Sequence, residues 1–148
     1  MTSATMNPDT TRDADLKFAI NSPFDATGIP VTVRWRQGPA SASQKGGDKK
    51  VVTFTLQIPG KDLTTVGVEN QIDVDILAIA RNDALVADNV AQNLKGAMAP
   101  EKFAQLKSKG VDYAGDLHLT PGNYLVRFVV RDNQSGRMGS VTAPLAVE

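Results

Sequence analysis

The chain has 148 residues, with 16 Lys plus Arg against 16 Asp plus Glu, no cysteine, one histidine and aromatics at 5%. Zero net charge argues against a general nucleic-acid or anionic-membrane binder, because both need a basic surface. The lack of cysteine removes disulfide scaffolds, thiol nucleophiles and thiolate metal sites, and a single histidine removes paired-His metal motifs.

Residues 1–14, rich in Thr, Asp and Asn, read as a flexible lead, with a single folded domain over 15–148. The lead holds no apolar run of the signal-peptide kind, so the signal of an exported protein would lie outside this sequence. No segment reaches the ~18–20 consecutive apolar residues of a membrane span, and no membrane insertion is expected.

From residue 15 the dominant period is two. Leu16, Phe18 and Ile20 alternate with polar neighbours and predict a half-buried strand, closed by the turn-rich NSPFDATG. Val31, Val33 and Trp35 predict a second strand. The segment 37–50 carries no large apolar side chain and reads as a flexible loop. Val52, Phe54, Leu56 and Ile58 form the inward face of the next strand, ended by Pro59-Gly60.

In QIDVDILAIAR, Ile72, Val74, Ile76 and Ala78 share one side and Asp73 and Asp75 the other. Leu77 and Ile79 break the alternation, which predicts that the second half of this strand is covered on both faces. ALVADNVAQNL follows as its hairpin partner. Pro100, Glu101, Phe103, Leu106, Lys107, Lys109 and Gly110 carry the start, apolar face and stop signals of one short helix.

The last third reads as the short strand DLHL, the turn TPGN, the strand YLVRFVVRD, the turn NQSGRMG and a returning strand. Seven to eight strands at this spacing specify an all-β, immunoglobulin-like antiparallel sandwich with one short connecting helix. Pro121, Gly122 and Tyr124 mark the corner before a late strand, where a tyrosine hydroxyl ties back to nearby backbone.

Catalytic signatures are missing: there is no phosphate-binding glycine loop, dinucleotide fingerprint, nucleophile elbow or H-E-x-x-H. His118, between Leu117 and Leu119, reads as an ordinary outward strand residue. Asp73 and Asp75 share a strand face, with side chains roughly 6.6–7 Å apart by the strand rise. Such a pair suits acid/base chemistry or calcium, but a solvated face that discourages edge pairing explains it as well. Asp112 and Asp116, flanking Tyr113, pose the same choice. Asp132, Asn133, Gln134 and Ser135 read as turn residues.

Arg34, Arg36, Arg127 and Arg131 alternate outward from two strands. If those strands are neighbours, the four arginines make a basic stripe; carboxylates on adjacent strands would neutralise it. With Asp132 and Asn133 they form the candidate partner-binding surface. No catalytic or metal residue and no cofactor is assigned.

The stretch Leu117–Val141, L-x-L-T-P-G-x-Y-x-V-R-F-V-V-R-D-x-x-S-G-R-M-G-S-V, resembles the tail region of the large VWFA-related proteins of acidobacteria. Gln71–Arg81 resembles the same tail, and the likeness extends over roughly Val51–Glu148. The resemblance implies an exported, extracytoplasmic protein in which an A-type domain precedes a sandwich tail. The A domain's metal motif D-x-S-x-S is not present in this sequence, so no metal or adhesion residue carries over. The expectation is a non-catalytic interaction or spacer module that binds a protein partner or neighbouring domain through loops or a sheet edge. The alternatives are a carbohydrate-binding or weakly self-associating surface module and, further off, an enzyme using the paired carboxylates.

Overall fold

The computed structural model describes residues 8–22, 24–37, 49–63, 71–83 and 85–147. Its elements run α1 (Pro8–Asn21), β1 (Thr32–Gln37), β2 (Lys50–Ile58), a 3-10 turn (Gly60–Asp62), β3 (Ile72–Asn82), β4 (Leu85–Gly96), α2 (Pro100–Lys109), β5 (Val111–Leu119), β6 (Gly122–Asp132) and β7 (Met138–Val147). The seven strands make two antiparallel sheets, ordered β1-β2-β5 and β4-β3-β6-β7. The chain crosses between sheets after β2, β4 and β5, and the β3–β4 and β6–β7 hairpins stay within one sheet. This is the all-β sandwich that the strand pattern predicts. Apart from its ends, the expected loop 37–50 lies outside the described residues.

Alternation builds the core. Val52, Phe54, Leu56 and Ile58 of β2 meet Val74, Ile76, Ala78 and Ala80 of β3 and Val126, Phe128 and Val130 of β6, all buried. Phe128 is the hub of an aromatic cluster, 5.0 Å from Phe54 and 5.6 Å from Trp35 between ring centroids. β5 is longer than the DLHL strand expected, because Gly115 interrupts its apolar pattern. That glycine lies beneath the Phe54 ring, where a Cβ would come within 2.5 Å of Cζ. A strand glycine here marks close approach rather than a strand end.

α2 fits its signals. Pro100 opens it, Glu101 sits in its first turn, and Lys107 and Lys109 in its last. Gly110, at φ 76°, closes it by donating its N–H to the Leu106 carbonyl at 2.8 Å.

The N-terminal reading is corrected. Residues 15–20 are not a strand but the second half of α1, which begins inside the segment expected to be a flexible lead. Leu16, Ala19 and Ile20 fall at i, i+3 and i+4, a helical stripe that the period-two pattern of Leu16, Phe18 and Ile20 conceals. The stripe buries against Val129, with Leu77, Ile79 and Met138 packed around it, as a second and smaller apolar cluster. The molecule therefore has three layers, α1 lying on the outer face of the four-stranded sheet. This meets the expectation from Leu77 and Ile79 that the second half of this strand is covered on both faces.

Candidate functional site

The outer face of the four-stranded sheet is where the polar and apolar groups of the chain converge. By register, Arg81 lies opposite Leu125, Ile79 opposite Arg127, Leu77 opposite Val129, and Asp75 opposite Arg131. Three arginines thus alternate with aliphatic residues along the path of α1.

Arg127 does the most to hold that helix. Its Nε donates to the Ala19 carbonyl at 3.1 Å, and Nη2 donates to the Phe24 carbonyl at 2.5 Å and to Ser140 Oγ at 3.0 Å. Nη1 donates to Asp25 Oδ1 at 2.7 Å and to Thr142 Oγ1 at 2.8 Å. The guanidinium meets the negative end of the α1 dipole and satisfies a carbonyl of the last turn. Arg81 reaches the Ile20 carbonyl at 3.4 Å and Asn21 Oδ1 at 2.9 Å. Arg131 pairs with Asp15 of α1, with Nη2 3.0 Å from Oδ2.

At the polar end of this face, two amides join two carboxylates. Asn93 Nδ2 donates to Asp73 Oδ1 and Asp75 Oδ1, each at 2.8 Å. Asn133 Nδ2 donates to Asp73 Oδ1 and Asp75 Oδ2, each at 3.0 Å, and its own Oδ1 accepts from Arg131 Nη1 at 2.6 Å. Asp73 and Asp75 are therefore acceptors in a network that links β3 to β4 and to the β6–β7 turn, not a solvated strand face.

The opposite end is uncovered and carries exposed apolar side chains beside polar ones. Val86, Arg81, Leu125 and Pro144 form one row across β4, β3, β6 and β7, just past the C-terminus of α1. Arg81, Leu125 and Pro144 border a shallow recess of about 820 Å³ that also takes in Asp83, Asn123 and Ala146. Leu125 is 58% exposed, Val86 51% and Leu85 75%, while Phe18 on the outward side of α1 is 73% exposed and Phe24 just beyond it 80%. Phe18, Phe24 and Lys17 line a second shallow depression on the helix surface.

The candidate partner surface read from sequence is divided by the fold. Arg34 and Arg36 are exposed on β1 in the three-stranded sheet, whereas Arg127 and Arg131 lie on β6 in the other sheet and are only 5% and 6% exposed. No basic stripe forms, because β1 and β6 are not neighbours and α1 covers the second pair. Asp132 is buried in the turn after β6, accepting from the Gln134 N–H at 3.1 Å and Ser135 Oγ at 2.9 Å, and Asn133 belongs to the amide network.

His118 points outward from β5, and its backbone N–H donates to Asp88 Oδ2 at 2.8 Å. Pro121 and Gly122 lead into β6, where the buried Tyr124 donates its hydroxyl to the Thr120 carbonyl at 2.7 Å. Trp35 is half-buried with its ring on Phe128, so neither it nor Tyr124 presents a free ring for sugar stacking. Tyr113 is half-buried on β5; burial, and then the Asp116 carboxylate, push its pKa up. Among the described residues no three His, Cys, Asp or Glu side chains gather as a metal-ligand group, and no helix is long and apolar enough to cross a membrane.

The exposed residues that now stand out, Phe18, Phe24, Leu85, Val86 and Leu125, escaped the sequence reading. Leu125 and Val129 carried a signal, being apolar at the outward positions on either side of Arg127. No family model matches the chain, and no curated protein or solved structure matches it.

Proposed function

We propose that the chain is a non-catalytic interaction module that docks a protein partner, or a neighbouring domain of a longer chain, on the outer side of its four-stranded sheet. The observation that carries this reading is the distribution of exposed large apolar side chains. Among the described residues, Phe18 and Phe24 lie at the helix that covers this sheet, and Leu125 and Val86 lie at the uncovered end beside it. Among the described residues, the outer face of the other sheet carries none. Large apolar groups concentrated on one side are the mark of a protein-docking surface. The neutral chain gives an anionic lipid surface little to attract. The resemblance of Leu117–Val141 to VWFA-related tails supports placing the module in an exported, extracytoplasmic bacterial protein.

The test is a photo-crosslinking residue introduced at position 18, at position 125 and, as a control on the other sheet, at position 36. Discrete adducts from 18 and 125 and none from 36 are expected in the producing cell. Adducts of equal yield from position 36, or none from 18 and 125, would overturn the docking surface.

A further inference from the structure

We infer that the recess between the end of β2, the 3-10 turn and the last turn of α2 binds a small, multiply charged anion. The recess shares no residue with the docking surface, and the inference does not depend on that reading. It has a volume of about 420 Å³, and three lysines, Lys61, Lys107 and Lys109, line it together with the polar side chains of Thr32 and Gln57.

Backbone packing brings the three cations to one place. Lys61 belongs to the 3-10 turn, and Lys107 and Lys109 to the last turn of α2. Two glycines let these segments meet: a Cβ on Gly60 would run into the Leu106 carbonyl oxygen, and one on Gly110 into that of Ile58. The last turn of α2 therefore lies directly on the backbone that leaves β2. Lys107 is also held in position, since Nζ donates to the Leu63 carbonyl at 3.1 Å and lies 5.5 Å from the centroid of the Phe103 ring. An ammonium carries three N–H donors, so this contact leaves others for a ligand.

The ordinary reason for lysine at a helix C-terminus is the dipole, which places about half a negative charge there. One lysine is enough to offset it, and Lys61 belongs to a different element. Among the described residues none of the three is held in an ion pair, and no acidic side chain lines the recess. Asp112, opposite Gln57 on β5, lies outside the lining. In a chain whose charges sum to zero, an excess of positive charge thus gathers at one concavity, where the walls focus its field. Lysine offers compact point charges that suit phosphate or carboxylate oxygens without fixing their geometry. Three of them on two elements favour an anion with several charges over one with a single charge.

Titration of the full chain with inorganic pyrophosphate at pH 7 and low ionic strength tests the site, followed by amide NMR shifts, with circular dichroism to show that each variant folds. One ion per chain should bind, saturating at about 1 mM or below. The shifts should centre on residues 57–61 and 107–110. Lys61→Gln and Lys109→Gln should each weaken binding by about fivefold or more, and Lys102→Gln, exposed on the same helix outside the recess, by less than about twofold. Inorganic phosphate, which carries fewer charges, should bind about tenfold more weakly or worse.

Binding that does not saturate, or shifts scattered over the other lysines, overturns the site. Weakening by Lys102→Gln equal to that by Lys61→Gln reduces the effect to general charge and overturns it as well. Phosphate bound as tightly as pyrophosphate overturns the preference for several charges. None of these results bears on the docking surface, which the crosslinks at 18 and 125 test separately.

Discussion

The two sheets present opposite kinds of outer face. On the three-stranded sheet, Arg34 and Arg36 of β1, Thr53, Thr55 and Gln57 of β2 and Asp112, Asp116 and His118 of β5 point outward together, by register. These groups find partners on the surface, as where Thr53 Oγ1 donates to Asp116 Oδ1 at 2.8 Å. On the four-stranded sheet the outward positions mix arginines with Leu77, Ile79, Val129 and Leu125, and a helix covers most of them. An outward arginine on the first face is surface charge. On the second it is a buried clamp whose hydrogen bonds are spent on another element's backbone. Strand alternation fixes which face a side chain takes; whether that face meets water depends on what else packs there.

Arg127→Ala should have the largest effect of any single change on the outer faces. It strips the Ala19 and Phe24 carbonyls and Asp25 of a buried donor set and should lower the unfolding free energy by about 3 kcal/mol or more. Arg34→Ala, the same change on the bare face, should shift it by less than about 0.5 kcal/mol. Urea unfolding of both measures the gap, and equal losses would abolish the contrast. Leu16→Ala removes the apolar side of the same attachment and should cost about 2 kcal/mol, the low end for a leucine, because its site is at the rim of a small cluster. A loss near zero would mean that the arginines alone hold the helix.

Tyr124→Phe should cost about 0.5–1.5 kcal/mol, the value of one hydroxyl-to-carbonyl bond, and would show that the sheet under α1 has an anchor independent of it. The smallest effect belongs to the three-stranded sheet, where Tyr113 packs inward from β5 beside Phe54. Tyr113 ionises less readily folded than unfolded, through burial first and the Asp116 carboxylate second. Its contribution is therefore complete below its ordinary pKa of about 10 and is lost as pH rises beyond that. Tyr113→Phe should flatten the fall in stability above pH ~10, read by thermal melts across that range; an unchanged slope would place the titration elsewhere.

The sandwich was legible because its core strands obey a period of two, and α2 because proline, lysine and glycine punctuate it. α1 was not, since Leu16, Phe18 and Ile20 satisfy the strand period as readily as Leu16, Ala19 and Ile20 satisfy the helical one. The choice is made by Leu77, Ile79 and Val129, whose demand for cover lies far away in the sequence. The candidate site failed with it. Arg127 and Arg131 read as solvent-facing because their partners Ala19, Phe24, Asp25 and Asp15 had been assigned to a strand and a turn. The uncovered row at Val86 and Leu125 has meaning only once α1 is seen to stop short of it.

The attachment of α1 also sets an order of assembly. The Ala19 carbonyl and the Arg127 side chain that holds it are 108 residues apart, and Asp15 and Arg131 are 116 apart. α1 leaves the ribosome before any strand, yet its receptor is the sheet made by β3 and β6, and the Ser140 and Thr142 hydroxyls that help to orient Arg127 come later still on β7. Of the described elements, the one synthesised first is thus the last able to dock. Until then Leu16 and Ile20 on the nascent helix, and Val129 on the late strand, wait without a partner, and closing so long a loop is the slow kind of contact.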